Sequence, residues 1–220
     1  PQIVEVFTAG APPAPSTLAR IEPMGFNVTQ VYGLTETYGP ATECLWAPEW
    51  DALDTEARAA RKARQGVAMP FMEPCAVVDG DMAPVPRDAA TQGEIVFRGN
   101  GVMKGYYRNT EATATAFRGG WFHSEDLALH HDDGHVQIAD RAKDIIISGG
   151  ENVPSVEGEG AVMAHESVSL CAVVSAPDET WGEVPWAFVE LKEGAEAGEA
   201  ELIAFVRARL AGFKTPKKVV

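Results

Sequence analysis

The first apolar run, Ile3 to Phe7, has the near-continuous character of a strand buried on both faces. A turn of small residues and prolines, Thr8 to Pro15, follows it. Pro15 opens a helix whose apolar stripe is Leu18, Ile21 and Met24, and Gly25 closes it. Val28 to Val31 predict the next strand, which Tyr32 and Gly33 break ahead of the polar turn Thr35, Glu36, Thr37. The order strand, helix, strand gives a parallel βαβ unit, with the exits Thr8–Pro12 and Tyr32–Thr37 on the same side. Ligands of open α/β sheets bind beyond the carboxyl ends of strands, where two adjacent exits make a crevice.

Beyond it the pattern changes. Residues 51–65 predict a solvated helix capped by Asp51 or Thr55, with alternating charges on its surface. Short strands at Val77–Val78 and Glu94–Phe97 follow, then a helix capped by Asn109 and closed by Gly119 and Gly120. Leu127–Leu129 and Val136–Ile138 flank the turn Asp132, Asp133, Gly134 as a hairpin. This middle region predicts a small barrel or a distorted antiparallel sheet. DRAKD, residues 140–144, is a charged, turn-like link between apolar strands and marks a domain boundary. Residues 145–220 predict a compact α+β unit: a strand, a helix from about Ser155, strands Val168–Val174 and Val184–Leu191, an acidic linker and a last helix ending at Gly212.

Composition narrows the functional classes. A net charge of −14 over 220 residues argues against a broad nucleic-acid or anionic-membrane surface. An anionic small ligand remains compatible, because a cation and helix N-termini offset its charge locally. Three widely spaced cysteines, Cys44, Cys75 and Cys171, read as free thiols of a reducing compartment, and a cytoplasmic location is expected.

Several stretches carry candidate chemistry beside a plainer reading. Glu36, between two threonines, is either a carboxylate that holds Mg²⁺ against phosphates or a surface turn. Asp126 in WFHSED either accepts ribose hydroxyls or ends a strand. HHDDGH, residues 130–135, reads as a hairpin turn rather than a metal site. SGGEN, residues 148–152, is a weak phosphate-loop candidate, and Trp46 and Trp50 either wall an acyl pocket or fill a core.

Taken in order, TAGAP at Thr8–Pro12, YGLTETYG at Tyr32–Gly39, GEIVFRGNGVMKGYY at Gly93–Tyr107, GWFHSEDLA at Gly120–Ala128, DRAKDIIISGGENV at Asp140–Val153 and WGEVPWAFVEL at Trp181–Leu191 resemble the AMP-forming acyl-CoA synthetases of the adenylate-forming superfamily. The likeness is greatest to their short- and medium-chain branch. It implies an α/β fold: the end of a large N-terminal domain (parallel βαβ unit plus β-rich, barrel-like subdomain, residues 1–139), a hinge at 140–144, and a small, mobile α+β C-terminal domain at 145–220. It implies ATP, Mg²⁺ and CoA as cofactors or substrates, and a short carboxylic acid such as methylmercaptopropionate as the other partner. A homodimer is compatible with it. By position, Gly10, Ala11 and Pro12 border the adenine, Tyr32 stacks on it, and Gly33 lets the backbone come close. Thr35 contacts the α-phosphate and Glu36 holds the metal. Asp126 binds the ribose with Arg141 beside it, Lys143 is the hinge residue, and Gly149 lines the pantetheine path.

Two parts of the family pattern have no match in the sequence: a Gly/Ser/Thr-rich phosphate loop upstream of Thr8 and a catalytic lysine downstream of FKTPKKVV. The expectation is therefore a fragment, inactive by itself. Loading of a carrier protein and non-catalytic nucleotide binding stand as alternatives. A further departure is Gly158, inside the predicted helix SVEGEG at a cost of about 1 kcal/mol.

Overall fold

The computed structural model describes residues 3–10, 13–141 and 144–220. Ala11, Pro12 and Lys143, assigned above to the adenine border and the hinge, lie outside the described residues. The chain divides into two compact units, Pro1–Ala139 and Asp140–Val220.

The first unit opens with β1 (Val4–Thr8), α1 (Pro15–Ile21) and β2 (Phe26–Leu34). β1 and β2 run parallel in register from Val4 opposite Phe26 to Thr8 opposite Gln30, so their exits lie side by side. Among the described residues β1 stands first in a sheet ordered β1, β2, β3 (Gly39–Glu43), β4 (Val67–Ala68), with Ile3 and Phe7 exposed. An apolar run specifies a strand, but what covers its faces is a tertiary matter.

β2 also corrects the sequence reading. Tyr32 and Gly33 do not end it; the strand continues to Leu34, and the pairing with β3 shifts between Tyr32 and Gly33. The glycine is required by that pairing. A Cβ on Gly33 would lie 1.9 Å from the Gly39 carbonyl oxygen. Residues 35–37 form one 3-10 turn, and Tyr38 exits with φ of 59°.

The expected helix 51–65 is shorter, α2 at Thr55–Lys62, preceded by a 3-10 turn at Pro48–Ala52. Its cap is Asp54, whose carboxylate accepts the Ala57 N–H at 2.8 Å, rather than Asp51 or Thr55. Nor is it simply solvated. Ala59 packs with Leu18 of α1 and Val28 of β2, and Lys62 and Arg64 are buried. Arg61 and Arg64 both reach Asp133, at 3.4 and 2.9 Å, and Lys62 meets Glu22 at 3.4 Å.

A second sheet holds β5 (Ala76–Val78), β6 (Gln92–Phe97), β7 (Phe122–His130) and β8 (Val136–Arg141) in that order. β5, β6 and β7 pair antiparallel, and among the described residues the order does not close on itself. Between β6 and β7 stands α3 (Thr110–Ala116), capped by Asn109 through the Ala112 N–H. One core joins Tyr32 and Ala41 of the first sheet to Ile95, Phe97, Phe122, Ala128 and Val136 of the second. Phe97 is wholly buried, and truncation to alanine at such a site costs about 3–5 kcal/mol.

The second unit has β9 (Ile146–Ser148), β10 (Glu151–Val153), α4 (Ser155–Met163), β11 (Val168–Asp178), β12 (Gly182–Leu191), α5 (Glu199–Arg207) and β13 (Lys218–Val219). Its sheet runs β10, β9, β12, β11, with β13 on β12. Val153, Val162, Val173, Ala187, Leu202 and Val206 form its core. The loop expected at 140–144 begins later than the charge pattern suggests, because Asp140 and Arg141 are still strand. Asp140 Oδ2 accepts the Ser155 N–H at 2.5 Å and so caps α4, whose own N-cap residue, Pro154, has no side-chain donor or acceptor for the purpose. Gly158 does not stop α4. It sits where the helix meets β11, and a Cβ there would lie 3.3 Å from Val173.

Candidate nucleotide site

The site of the first unit is built at the end of β2. The Tyr32 hydroxyl donates to Asp126 Oδ2 at 2.5 Å, with both residues buried and the Tyr32 ring 6.0 Å from that of Phe97. Residues 94 positions apart, each assigned a nucleotide contact from its motif alone, are thus joined directly.

At the same strand end Thr8 Oγ1 donates to Gln30 Oε1 at 2.5 Å, tying the exits of β1 and β2 together. Gln30 is fully buried, and its other side-chain atom donates to the Val31 carbonyl at 3.3 Å. Sequence reasoning gave Gln30 no role; its signal was a lone amide within the apolar run VTQVY. Gly10 follows in the left-handed region, φ 93°, with open space where a side chain would stand. Such a position needs glycine for its backbone.

The 3-10 turn fixes Thr35 and Glu36. Thr37 Oγ1 accepts the Leu34 N–H at 2.9 Å and lies 2.8 Å from the Gly39 carbonyl. The Met103 N–H donates to the Glu36 carbonyl at 2.7 Å, and the Tyr106 hydroxyl donates to Glu36 Oε1 at 3.1 Å. Burial and the Glu36 charge push the Tyr106 phenol above its ordinary range, so it stays a donor at neutral pH. In the sequence Tyr106 carries no signal beyond its place in GEIVFRGNGVMKGYY.

Glu36 and Tyr106 line a cavity of about 500 Å³ together with His123, Ser124 and Glu125, the residues leading into Asp126. The turn and the Asp126 segment therefore share one space. Among the described residues no group of three metal-ligating side chains forms. A single carboxylate fits a Mg²⁺ that arrives with phosphate oxygens, which needs only one or two protein carboxylates.

The candidates from HHDDGH and CLWAPEW are placed elsewhere. His131 contacts Gln137 at 3.0 Å, and His135 contacts the Leu45 carbonyl at 3.2 Å. Trp50 is buried between Trp46 and His135, at ring distances of 5.3 and 5.0 Å, and serves there as packing.

In the second unit Arg141 is exposed at the end of β8, and the Asp144 N–H donates to its carbonyl at 2.9 Å. Gly149 and Gly150 turn β9 into β10 with φ of 61° and 86°, the two positive values of a type I′ hairpin. Gly149 also lies beneath an indole: a Cβ there would stand 2.6 Å from Trp181 Cε3. Its N–H donates to the Trp181 carbonyl at 2.8 Å.

Comparison with known proteins agrees with this geometry. A model of AMP-binding enzymes matches residues 1–107, and a model of the AMP-binding enzyme C-terminal domain matches residues 157–220. The acetate/butyrate–CoA ligase AAE7, peroxisomal, of Arabidopsis thaliana is 50% identical across 100% of this chain and 40% of its own length. The 4-hydroxybutyrate–CoA ligase 2 of Metallosphaera sedula is 49% identical over 98% of this chain and 39% of its own. The chain thus spans about two fifths of the length of the curated relatives it matches. Among solved structures, the amide bond synthetase McbA from Marinactinospora thermotolerans superposes with a TM-score of 0.83 at 32% identity, over 98% of this chain and 42% of that one. ATP-bound MatB from Rhodopseudomonas palustris gives 0.82 at 32% identity, over 97% and 40%. The two family matches cover most of the chain and agree with a fold whose motif residues meet at one strand end: this chain belongs to the AMP-binding, adenylate-forming enzymes.

Proposed function

We propose that this chain carries part of the site of an ATP-dependent acid–CoA ligase. The reaction is formation of an acyl-adenylate with release of pyrophosphate, then displacement of AMP by the CoA thiol. The carrying observation is the Tyr32–Asp126 hydrogen bond, beside the cavity that Glu36 faces. Tyr32 presents its ring to the adenine and Asp126 its carboxylate to the ribose, with Gly10, Ala11 and Pro12 at the adenine border. Thr35 is the hydroxyl donor to the α-phosphate. Glu36, held by Tyr106, would take Mg²⁺, which supplies charge neutralisation at the phosphates. Residues 140–144 serve as the hinge between the units, with Lys143 as the hinge residue, Arg141 beside the nucleotide, and Gly149 on the thiol path.

Curated relatives that act on acetate, butyrate and 4-hydroxybutyrate support a short-chain acid. Methylmercaptopropionate stays within that size class. The three unpaired thiols fit a reducing compartment; among the described residues no helix is long and apolar enough to cross a membrane. Cytoplasm is the proposed location, and imaging separates it from the peroxisome named for one relative.

The test uses the full polypeptide that carries this chain, with ATP, CoA and acetate, butyrate or methylmercaptopropionate. Acid-dependent exchange of pyrophosphate into ATP and formation of acyl-CoA are the expected results. Exchange without thioester formation in Lys143→Pro supports the hinge; equal loss of both steps removes it. The similarity to an amide bond synthetase gives a second reading, in which an amine replaces the thiol. Amide formation with CoA left unused would favour it.

A further inference from the structure

Asp126 does not lie on regular strand. β6 and β7 pair Val96 with His123 and Glu94 with Leu127, so three residues of β7, 124–126, stand opposite Ile95 alone. Two residues are extra, and the ladder on either side keeps its alternation while Ser124, Glu125 and Asp126 are pushed out of it. Bulges of this kind re-aim side chains at sites. Here the bulge aims Asp126 at the Tyr32 hydroxyl.

The bulge is held at two points. Ser124 Oγ donates to the Ile95 carbonyl at 2.6 Å and accepts the Asp126 N–H at 3.1 Å. Glu125 takes φ of 62°, a left-handed conformation that a residue with a Cβ adopts only when its surroundings impose it. What imposes it is Glu94, whose Oε1 accepts the Glu125 N–H at 3.0 Å. Glu94 is itself fixed: its Oε2 lies 2.7 Å from His123 Nδ1 and 2.8 Å from Arg118 Nη2. The His123 ring is locked in turn by its Nε2, 3.1 Å from the Arg118 carbonyl.

We propose that Glu94 is a positioning residue for the nucleotide site: by holding the Glu125 N–H it fixes the bulge that presents Asp126 to the ribose. Glu94 touches no substrate and acts through the backbone of Glu125. The proposal rests on Asp126 being the ribose carboxylate, and the experiment separates the two. AMP and 2′,3′-dideoxy-AMP are titrated calorimetrically into the full polypeptide, and the ratio of their dissociation constants is the readout.

Asp126→Ala should bring the ratio close to one. Glu94→Ala should lower it about tenfold, the effect of one lost hydrogen bond to a carboxylate. Glu94→Gln keeps an oxygen acceptor and should retain the ratio. Glu125→Gly adopts the same backbone without strain, so Glu94→Ala/Glu125→Gly should recover most of it. If Glu94→Ala does not fold, Glu94→Asp, which keeps the charge and loses the reach, carries the same expectation. A ratio that falls in Asp126→Ala but not in Glu94→Ala or Glu94→Asp overturns the proposal. A ratio indifferent to Asp126→Ala overturns the ribose reading beneath it. A loss in Glu94→Ala that Glu125→Gly does not repair overturns the backbone route.

Discussion

Gly149→Ala separates two reasons for one glycine. The structure requires glycine there twice over: by its φ of 61°, and by the Trp181 ring lying 2.6 Å from where a Cβ would be. The backbone component is the cost of an alanine in the left-handed region, about 1–2 kcal/mol. The steric component arises because carbon atoms pack at about 3.5–4.0 Å, so the indole must retreat by roughly 1 Å. Overpacking of that kind adds about 1–3 kcal/mol. Trp181 is half exposed and has somewhere to go, which favours the lower end. The expected total is thus about 2–3 kcal/mol.

The Trp181→Ala background removes the ring and leaves the backbone component alone, so the same substitution should there cost only about 1–2 kcal/mol. The assay is urea unfolding of the four proteins of the cycle, with hydrogen exchange across 146–153 and 182–191 to place the loss. Equal costs in the two backgrounds would refute the packing argument and return the glycine to its φ alone. Loss of thioester formation beyond what stability explains would instead speak for the thiol path.

Gly160 is helical with nothing within 4 Å of its missing Cβ, so Gly160→Ala should stabilise by about 1 kcal/mol in urea, whereas Gly158→Ala, 3.3 Å from Val173, should gain less. The N–H and hydroxyl of Thr91 and the N–H of Ala90 hold the Asp88 carboxyl down at about 2. A depressed folded value contributes stability that is present above the unfolded value, about 4, and lost as pH falls through about 2. Carboxyl NMR should therefore show an Asp88 midpoint near 2, and one near 4 would refute the loop geometry. Burial pushes Cys44 and Cys75 up to about 11 and Cys171 to about 12. At pH 8 about one thiol in a thousand or fewer is then ionised, and iodoacetamide should label the native protein far more slowly than the urea-unfolded chain. Rapid labelling of any one cysteine would show its burial to be wrong.

The sequence carried the βαβ unit well, because Pro15, Leu18 and Gly25 are local signals for a local structure. The hairpin around Gly134 and the Asn109 cap were legible for the same reason. The end of β2 was not, because whether Gly33 stops a strand or admits a neighbouring carbonyl depends on Gly39 across the ladder. Motif order brought Tyr32 and Asp126 into one proposal, but their hydrogen bond depends on a bulge. Nothing in WFHSED announces two extra residues; the register that creates them belongs to β6. In the sequence Glu94 is only the start of a strand, since its part depends on a backbone group 31 positions away.

Asp133 at the hairpin tip takes Arg61, Arg64 and His135 at once, two of them some seventy positions upstream. A turn reading His-Asp-Asp-Gly-His looks free to vary, yet its second aspartate is committed to three partners. Reversing its charge would set it against both arginines together. The tip therefore ties the hairpin to the end of α2 and the residues that follow it, and it carries more constraint than a loop of its length and composition suggests.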